Sequence, residues 1–478
     1  MNARLTALTH VNGRLVPPRL IPRDTPPSLL QFLLAVGRNP AETWVREVYE
    51  RPLHTRRTQG FTVAWVSDPD LIRKVFLEEV DAFPRAPIEE RVLKPAFGEG
   101  MLTTSGEVWR HQRRAAAPGF RREALNAMLP VMAEAGQAAG VRLRAMAERA
   151  GGRVRHDVCA ETTRATLDVI LKTLFSANDA TGPEGGLDPD QIARDTATYL
   201  DTLGRVSVHD VLNLPDWLPR LGTAQGRAAV ARLKAVVDRV VSAREASGVS
   251  RADLLSLLVD ARDPTTGQGL SPTQIRDNVM TFLGAGHETT SLALGWALYL
   301  IANDPPCQAR LVAEAAEVLG DGPVTPETLE RLRYTRAVIE EAMRLFPPVM
   351  AIPRVTQAGF SAHGHDVPAG SLVLCPVYAL HRHRLYWPEP DTFMPERFLP
   401  EAGGPEGGAS RHRYSYMPFG AGPRICIGAQ FAMMEAVAIL ANILRQVAVG
   451  PAADHSIDLR VRITLRNAGG LPLWFSPR

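Results

Sequence analysis

The chain has 478 residues, of which 45% are apolar and 22% charged, a balance that excludes disordered and fibrous classes and suits a globular enzyme. Its net charge of +3 excludes a broadly basic nucleic-acid binder, so any electrostatic partner must meet a local patch. The four cysteines, Cys159, Cys307, Cys375 and Cys426, are too scattered for a disulfide scaffold or a zinc spacing, which fits a reducing compartment.

The N-terminal stretch has no signal-peptide core, and a cytoplasmic protein without a membrane anchor is expected. "SLLQFLLAVG" at 28–37 is too short to cross a bilayer. "NPAE" offers Asn39 as an N-cap with Pro40 at the first helical position. "FTVAWVS" at 61–67 reads as a strand, and "DPDLIRKVF" as a helix capped by Asp68. Residues 122–150 and 224–246 carry helical patterning, and the Pro/Gly-rich stretch 181–188 reads as a surface loop.

Ser271 and Gln274 form a capping box ahead of a long apolar helix. That helix imitates a membrane span, but "HETT" breaks its centre and a charge there is expensive in lipid, so it is read as buried in protein. Further helices are predicted from Asp304 to Gly320 and after Thr325. Strands are predicted at 371–378, in "DLRVRITLR" and in "LPLWFS", with a loop at 400–409 between them. The result is a mainly α chain with small β-sheets near its two ends, as one large domain.

Cys426 lies in "FGAGPRICIGA", among glycines that let backbone turn sharply or let another group approach. On composition alone it is either a small buried filler or a thiolate aimed at a ligand. "GAGHETT", Gly284–Thr290, places polar groups within the apolar helix. They are either a kink, with threonines bonding back one turn, or a functional site. Glu341 and Arg344 are three apart, the spacing of an ordinary surface ion pair.

These segments together resemble the cytochrome P450 family. F-x-x-G-x-R-x-C-x-G is matched by Phe419, Gly422, Arg424, Cys426 and Gly428, and eleven consecutive residues agree in type. "GAGHETT" is similar to the family's A-G-x-E/D-T, "EEAMRLF" to its E-x-x-R, "PERF" to its P-E-R-F, and "WRHQRR" to its W-x-x-x-R, all in family order. The resemblance implies a single-domain cytochrome P450 fold over 39–478, with residues 1–38 packing on it as an N-terminal segment. It implies haem b (iron protoporphyrin IX), with Cys426 as the axial ligand and Phe419 shielding the sulfur. Gly422 and Gly428 would let the loop approach the macrocycle. Trp109, Arg113, Arg354 and Arg424 would meet its propionates.

Ala285 and Gly286 would flank the oxygen site, Gly286 by removing bulk. Glu288 and Thr289 would relay protons, while His287 would only pack. Glu341, Arg344 and Arg397 would form a buried structural triad, with Glu340 facing elsewhere. The implied reaction inserts one atom of O2 into an apolar organic substrate, by hydroxylation or epoxidation. With no reductase segment after Arg478, electrons are expected from a separate ferredoxin with its reductase, or from a flavodoxin. "RHQRRAAAPGFRR" is either the patch that attracts that donor or a merely solvated basic face.

A monomer is expected. The intact acid–alcohol pair disfavours a hydrogen-peroxide-driven peroxygenase and a non-catalytic haem sensor. By the same resemblance the pocket is lined from about 83–104, 195–222, Met280–Ala285, Val349–Ile352 and Gly469–Leu471, which suggests a lipid-, terpenoid- or steroid-like substrate. Arg85, Arg91 and Lys94 are offered for a substrate carboxylate, with a solvated loop face as the favoured reading.

Overall fold

The computed structural model describes every residue except 1–4, 38, 59–60, 177–186, 207–209, 211–221, 252, 264–265 and 400–410. The loop expected at 400–409, most of the one expected at 181–188, and part of the pocket segment 195–222 therefore fall outside the described residues, while Asp188 caps the helix Pro189–Thr202.

Local signals set most helix starts. Ser271 and Gln274 exchange both hydrogen bonds of a capping box and open a 31-residue helix, Pro272–Ala302, which we call the central helix. Asp304 caps Pro305–Leu319, and Gly320 at φ 51° ends it. Thr325 caps a helix of only six residues, Pro326–Arg331. Asn39 does cap, but the element it opens is a 3₁₀ turn, Pro40–Thr43. The helix after Asp68 is likewise short, Pro69–Arg73, and runs into a π-type turn over Lys74–Glu78.

The central helix is buried on nearly every side. Along it lies Val158–Phe175, fastened where Thr162 and Thr166 donate to the Ser291 and His287 carbonyls at 3.0 Å each. A helix from Ala429 to Gln446 packs on Arg122–Arg149, where Gly136 and Gly140 leave room. A Cβ at Gly136 would stand 2.6 Å from the Ile439 Cα. These helices share one hydrophobic core, which also takes in Leu15 and Leu20 from the N-terminal segment. Leu20 is held there as its N–H donates to the Tyr378 hydroxyl at 3.2 Å.

Two small sheets do lie near the ends of the chain, Thr9–Val11 with Arg14–Val16 and the C-terminal hairpin, while the two larger sheets join distant parts of it. Leu53–Thr58 and Phe61–Val66 form a hairpin with Leu53 opposite Val66. Phe61–Val66 runs parallel to Leu372–Cys375, which pairs antiparallel with Ile352–Val355. The predicted strand 371–378 stops at Cys375 because Pro376 breaks it, and Val377–Leu380 turns into a helical turn. "DLRVRITLR" is a hairpin, Leu459–Val461 against Leu465–Asn467, not one strand. A second sheet orders Val447–Pro451, Pro472–Pro477 and Val154–Asp157.

Candidate active site

The loop carrying Cys426 closes on itself as the Cys426 N–H donates to the Phe419 carbonyl at 2.9 Å. Gly422 sits at φ 68°, and a Cβ there would overlap the Phe76 carbonyl oxygen. This glycine lets the loop pack directly on the Phe76 backbone. Gly428 is the N-cap of Ala429–Gln446, which places Cys426 just ahead of a helix start. Burial pushes the thiol up, against the opposing pull of the Gly428 N–H and of Arg113.

The Cys426 side chain is exposed, yet it lies deep in the molecule, because its open side faces a cavity of ≈ 370 Å³. One wall is the cysteine loop. The opposite wall is the central helix, with Ala285, Gly286 and Thr289. Trp109, Arg113, Arg354 and Arg424 reach the cavity as expected. Arg424 stacks 4.3 Å above the Trp109 ring and donates to the Thr104 carbonyl at 3.0 Å. Burial, followed by the nearby charges of Arg85 and Arg354, pushes Arg424 down to about 10.

Arg354 is 7% exposed and donates to the Pro353 carbonyl at 2.8 Å, with Glu89 at 3.7 Å. Arg85, expected on a solvated loop, is instead buried in this group. It bonds Glu89 at 3.1 Å and the Leu102 carbonyl. Its antiparallel bridge to Arg354 carries it inward, a long-range pairing with no local sequence mark. Lys94 is solvated and paired with Glu99 at 2.8 Å.

Four arginines therefore surround a cavity lined, among the described residues, by one acidic side chain, Glu89. Such an excess of partly buried cations calls for anionic partners. No group of three or more His, Cys, Asp or Glu among the described residues could hold a metal. A metal on Cys426 must then bring its other donors with it, as iron in a porphyrin does. The two carboxylates of haem b fit the arginine cluster, and its macrocycle fits between the two walls. Arg354→Gln is expected to speed haem loss about ten- to hundredfold, the value of one or two charge-assisted hydrogen bonds, measured by transfer to apomyoglobin.

The oxygen side is only partly as expected. Thr289 lines the cavity while its hydroxyl donates back to the Ala285 carbonyl at 2.9 Å. A Cβ on Gly286 would stand 2.6 Å from Ile170 Cδ1, so this glycine makes room for a helix–helix contact. Glu288 departs from expectation. It is not among the cavity-lining residues, and its Oε1 accepts from Thr464 at 3.0 Å and Arg466 at 2.5 Å. The C-terminal hairpin, 176 and 178 residues away in sequence, supplies that competing ion pair. His287 is buried packing, its Nδ1 donating to the Leu283 carbonyl at 2.6 Å.

The triad is complete. Arg344 grips Glu341 with two bonds of 2.6 and 2.7 Å and donates to the carbonyls of His381, Pro390 and Thr392. Arg397 Nε lies 3.6 Å from Glu341, and the Met394 N–H donates to the same carboxylate at 2.8 Å. Glu340 points elsewhere, 3.7 Å from Arg336.

The stretch 110–122 is a basic face only in part, with Arg121 and Arg122 exposed at its end. Arg110 pairs with Glu107, Arg114 and His111 with Asp263, and Arg122 with Glu330, while Arg113 faces the cavity.

Fold and site together define a haem-thiolate enzyme. The comparisons carry this further: the model of the family "Cytochrome P450" matches residues 23–461, and the chain belongs to that family. Cyclooctatin synthase of Streptomyces melanosporofaciens is 34% identical over 414 residues, covering 86% of this chain and 85% of that protein. Taurochenodeoxycholic 6 alpha-hydroxylase of Sus scrofa is 31% identical over 435 residues, with 85% and 81% covered. Among solved structures, the haem domain of cytochrome P450DA superposes with a TM-score of 0.81 at 27% identity, covering 96% of this chain and 97% of that one. The chain is a haem-dependent cytochrome P450 monooxygenase. No helix among the described residues is long and apolar enough to cross a membrane.

Proposed function

We propose that the protein hydroxylates or epoxidises an apolar organic molecule, using O2 and electrons from a separate ferredoxin- or flavodoxin-type donor. The observation that carries this reading is a cavity with Cys426 on one wall and Ala285 and Thr289 on the other. When bound there, haem supplies an electron-rich, thiolate-ligated iron that favours O–O cleavage. Cys426 would hold the iron, with Phe419 beside it. Trp109, Arg113, Arg354 and Arg424 would hold the propionates, joined by Arg85. Met101, Leu102, Phe282, Val349 and Ile352 give the substrate an apolar wall that excludes water.

Thr289 is the residue we assign to proton delivery. Its hydroxyl is at the cavity, where it can order water and pass a proton toward bound oxygen. Glu288 can join only by leaving Arg466, so we place it behind Thr289 rather than beside the oxygen. Thr289→Ala should retain haem but release most reducing equivalents as hydrogen peroxide, read as peroxide formed per O2 consumed. Unchanged coupling would remove Thr289 from proton delivery.

For the electron donor, we favour the recess beneath the cysteine loop. It is lined by Arg336, Arg413, Tyr416 and Gln430 next to Phe419 and Ile425, with Glu340, among the described residues, the one acidic group beside the two arginines, and this basic excess suits an acidic partner. Within this reading, residues 39–478 form the catalytic domain with 1–38 packed on it, and the protein acts as a cytoplasmic monomer. The test is turnover of a terpenoid, steroid and fatty-acid panel with ferredoxin–reductase and flavodoxin systems. Product with hydrogen peroxide alone, and none with either donor, would overturn the proposed electron route.

A further inference from the structure

The loop 98–104 presents Met101 and Leu102 to the cavity, and the central helix holds its backbone unusually closely. The Glu99 N–H donates to Asp277 Oδ2 at 2.7 Å, and the Met101 N–H to Asn278 Oδ1 at 2.9 Å. A Cβ on Gly98 would strike the Asp277 carboxylate. One on Gly100 would stand 2.6 Å from both the Asp277 carbonyl oxygen and Thr281 Oγ1. Two glycines thus allow the loop to lie directly on the helix.

Asn278 does more than accept one bond. It is 1% exposed, and its Nδ2 donates to the Gln274 carbonyl at 2.8 Å and to Gln112 Oε1 at 3.0 Å. Gln112 then donates to the Glu99 carbonyl at 2.8 Å. One buried amide therefore ties the central helix, the loop and the helix that carries Trp109 and Arg113. From the other side, Arg85 and Arg424 donate to the carbonyls of Leu102 and Thr104. The loop is clamped from both sides.

We propose that Asn278 is a specificity-positioning residue, which fixes loop 98–104 so that Met101 and Leu102 form a rigid wall against the substrate. The proposal rests on the reading of the cavity as haem and substrate space. A rigid wall is preorganised: it favours molecules that fit and rejects those that would have to push it aside. Asn278 itself does not touch the substrate. Its effect is a selectivity set through the loop.

The experiment uses the haem-loaded protein and a series of n-alkylimidazoles from butyl to dodecyl. The ring nitrogen ligates the iron and shifts the Soret band, while the tail probes the wall. Wild-type protein should show a sharp optimum in tail length. Asn278→Leu should flatten that profile and weaken the best ligand about tenfold, the worth of one lost buried hydrogen bond. Hydrogen exchange at the Glu99 and Met101 amides should quicken at least about tenfold.

Asn278→Asp, which keeps an acceptor for the Met101 N–H, should recover part of the profile. If the leucine variant does not fold, Gln112→Met frees the Glu99 carbonyl and the Asn278 Nδ2 while leaving the Met101 N–H bond to Asn278 in place, and should broaden the profile in the same direction. A purely structural residue would lower stability without changing the ratio of affinities along the series. An unchanged profile, or unchanged exchange at these amides, overturns the proposal. If no alkylimidazole shifts a Soret band in wild-type protein, the haem reading itself fails, a separate result from an unaltered profile.

Discussion

Glu341→Gln is expected to cost about 3–5 kcal/mol of folding stability, because it removes the buried counter-charge that Arg344 grips and weakens the contact with Arg397. Both arginines are at most 1% exposed, and Glu341 is 0% exposed. The amide keeps the shape of the carboxylate but accepts weakly where two guanidinium bonds of 2.6 and 2.7 Å now converge. The Met394 N–H would lose a charged acceptor as well. A loss of this size is a large part of the roughly 5–15 kcal/mol that stabilises a typical protein. The check is the denaturant midpoint of the variant, or its recovery in soluble form where it does not survive purification. A change below about 1 kcal/mol would mean that the triad is worth no more than a surface pair.

Cys426→Ser should act in the opposite manner, sparing the fold and removing the chemistry. The loop is held by the backbone bond from Cys426 to Phe419 and by the packing of Gly422 on Phe76, neither of which needs sulfur. The expected result is an unchanged circular dichroism spectrum and denaturant midpoint, with loss of the thiolate-type spectrum and of turnover. A serine variant that kept the thiolate-type spectrum would show that another group ligates the iron.

Much of this was legible in the chain because the relevant signals are local. Asn39, Asp68, Ser271, Asp304 and Thr325 all accept a bond from the backbone ahead of them, since a cap is a matter of a few adjacent residues. Cys426, Arg424, Trp109, Arg113, Arg354, Ala285 and Thr289 converge on one cavity from segments the motifs had marked. What local reading could not supply was pairing across the chain. The strand Leu53–Thr58, "LHTRRT", is too polar to announce itself and exists because Phe61–Val66 pairs with it.

Arg85 looked solvated until its bridge to Arg354 drew it inward. Glu288 matched its motif, yet its partner Arg466 comes from the far end of the chain and holds it away from the cavity. The glycines show the same limit. Their number marked close approach, but only the fold shows that Gly422 makes room for Phe76 and Gly286 for Ile170. Asn278 carried no motif at all, because its role exists only where the loop, the central helix and Gln112 meet.

The most direct test of the central claim is the absorption spectrum of the dithionite-reduced protein with and without carbon monoxide. Cys426 as a thiolate ligand predicts a strongly red-shifted Soret band in the carbon monoxide complex. An unshifted band of ordinary haem, or no haem after expression with ample supply, would contradict it.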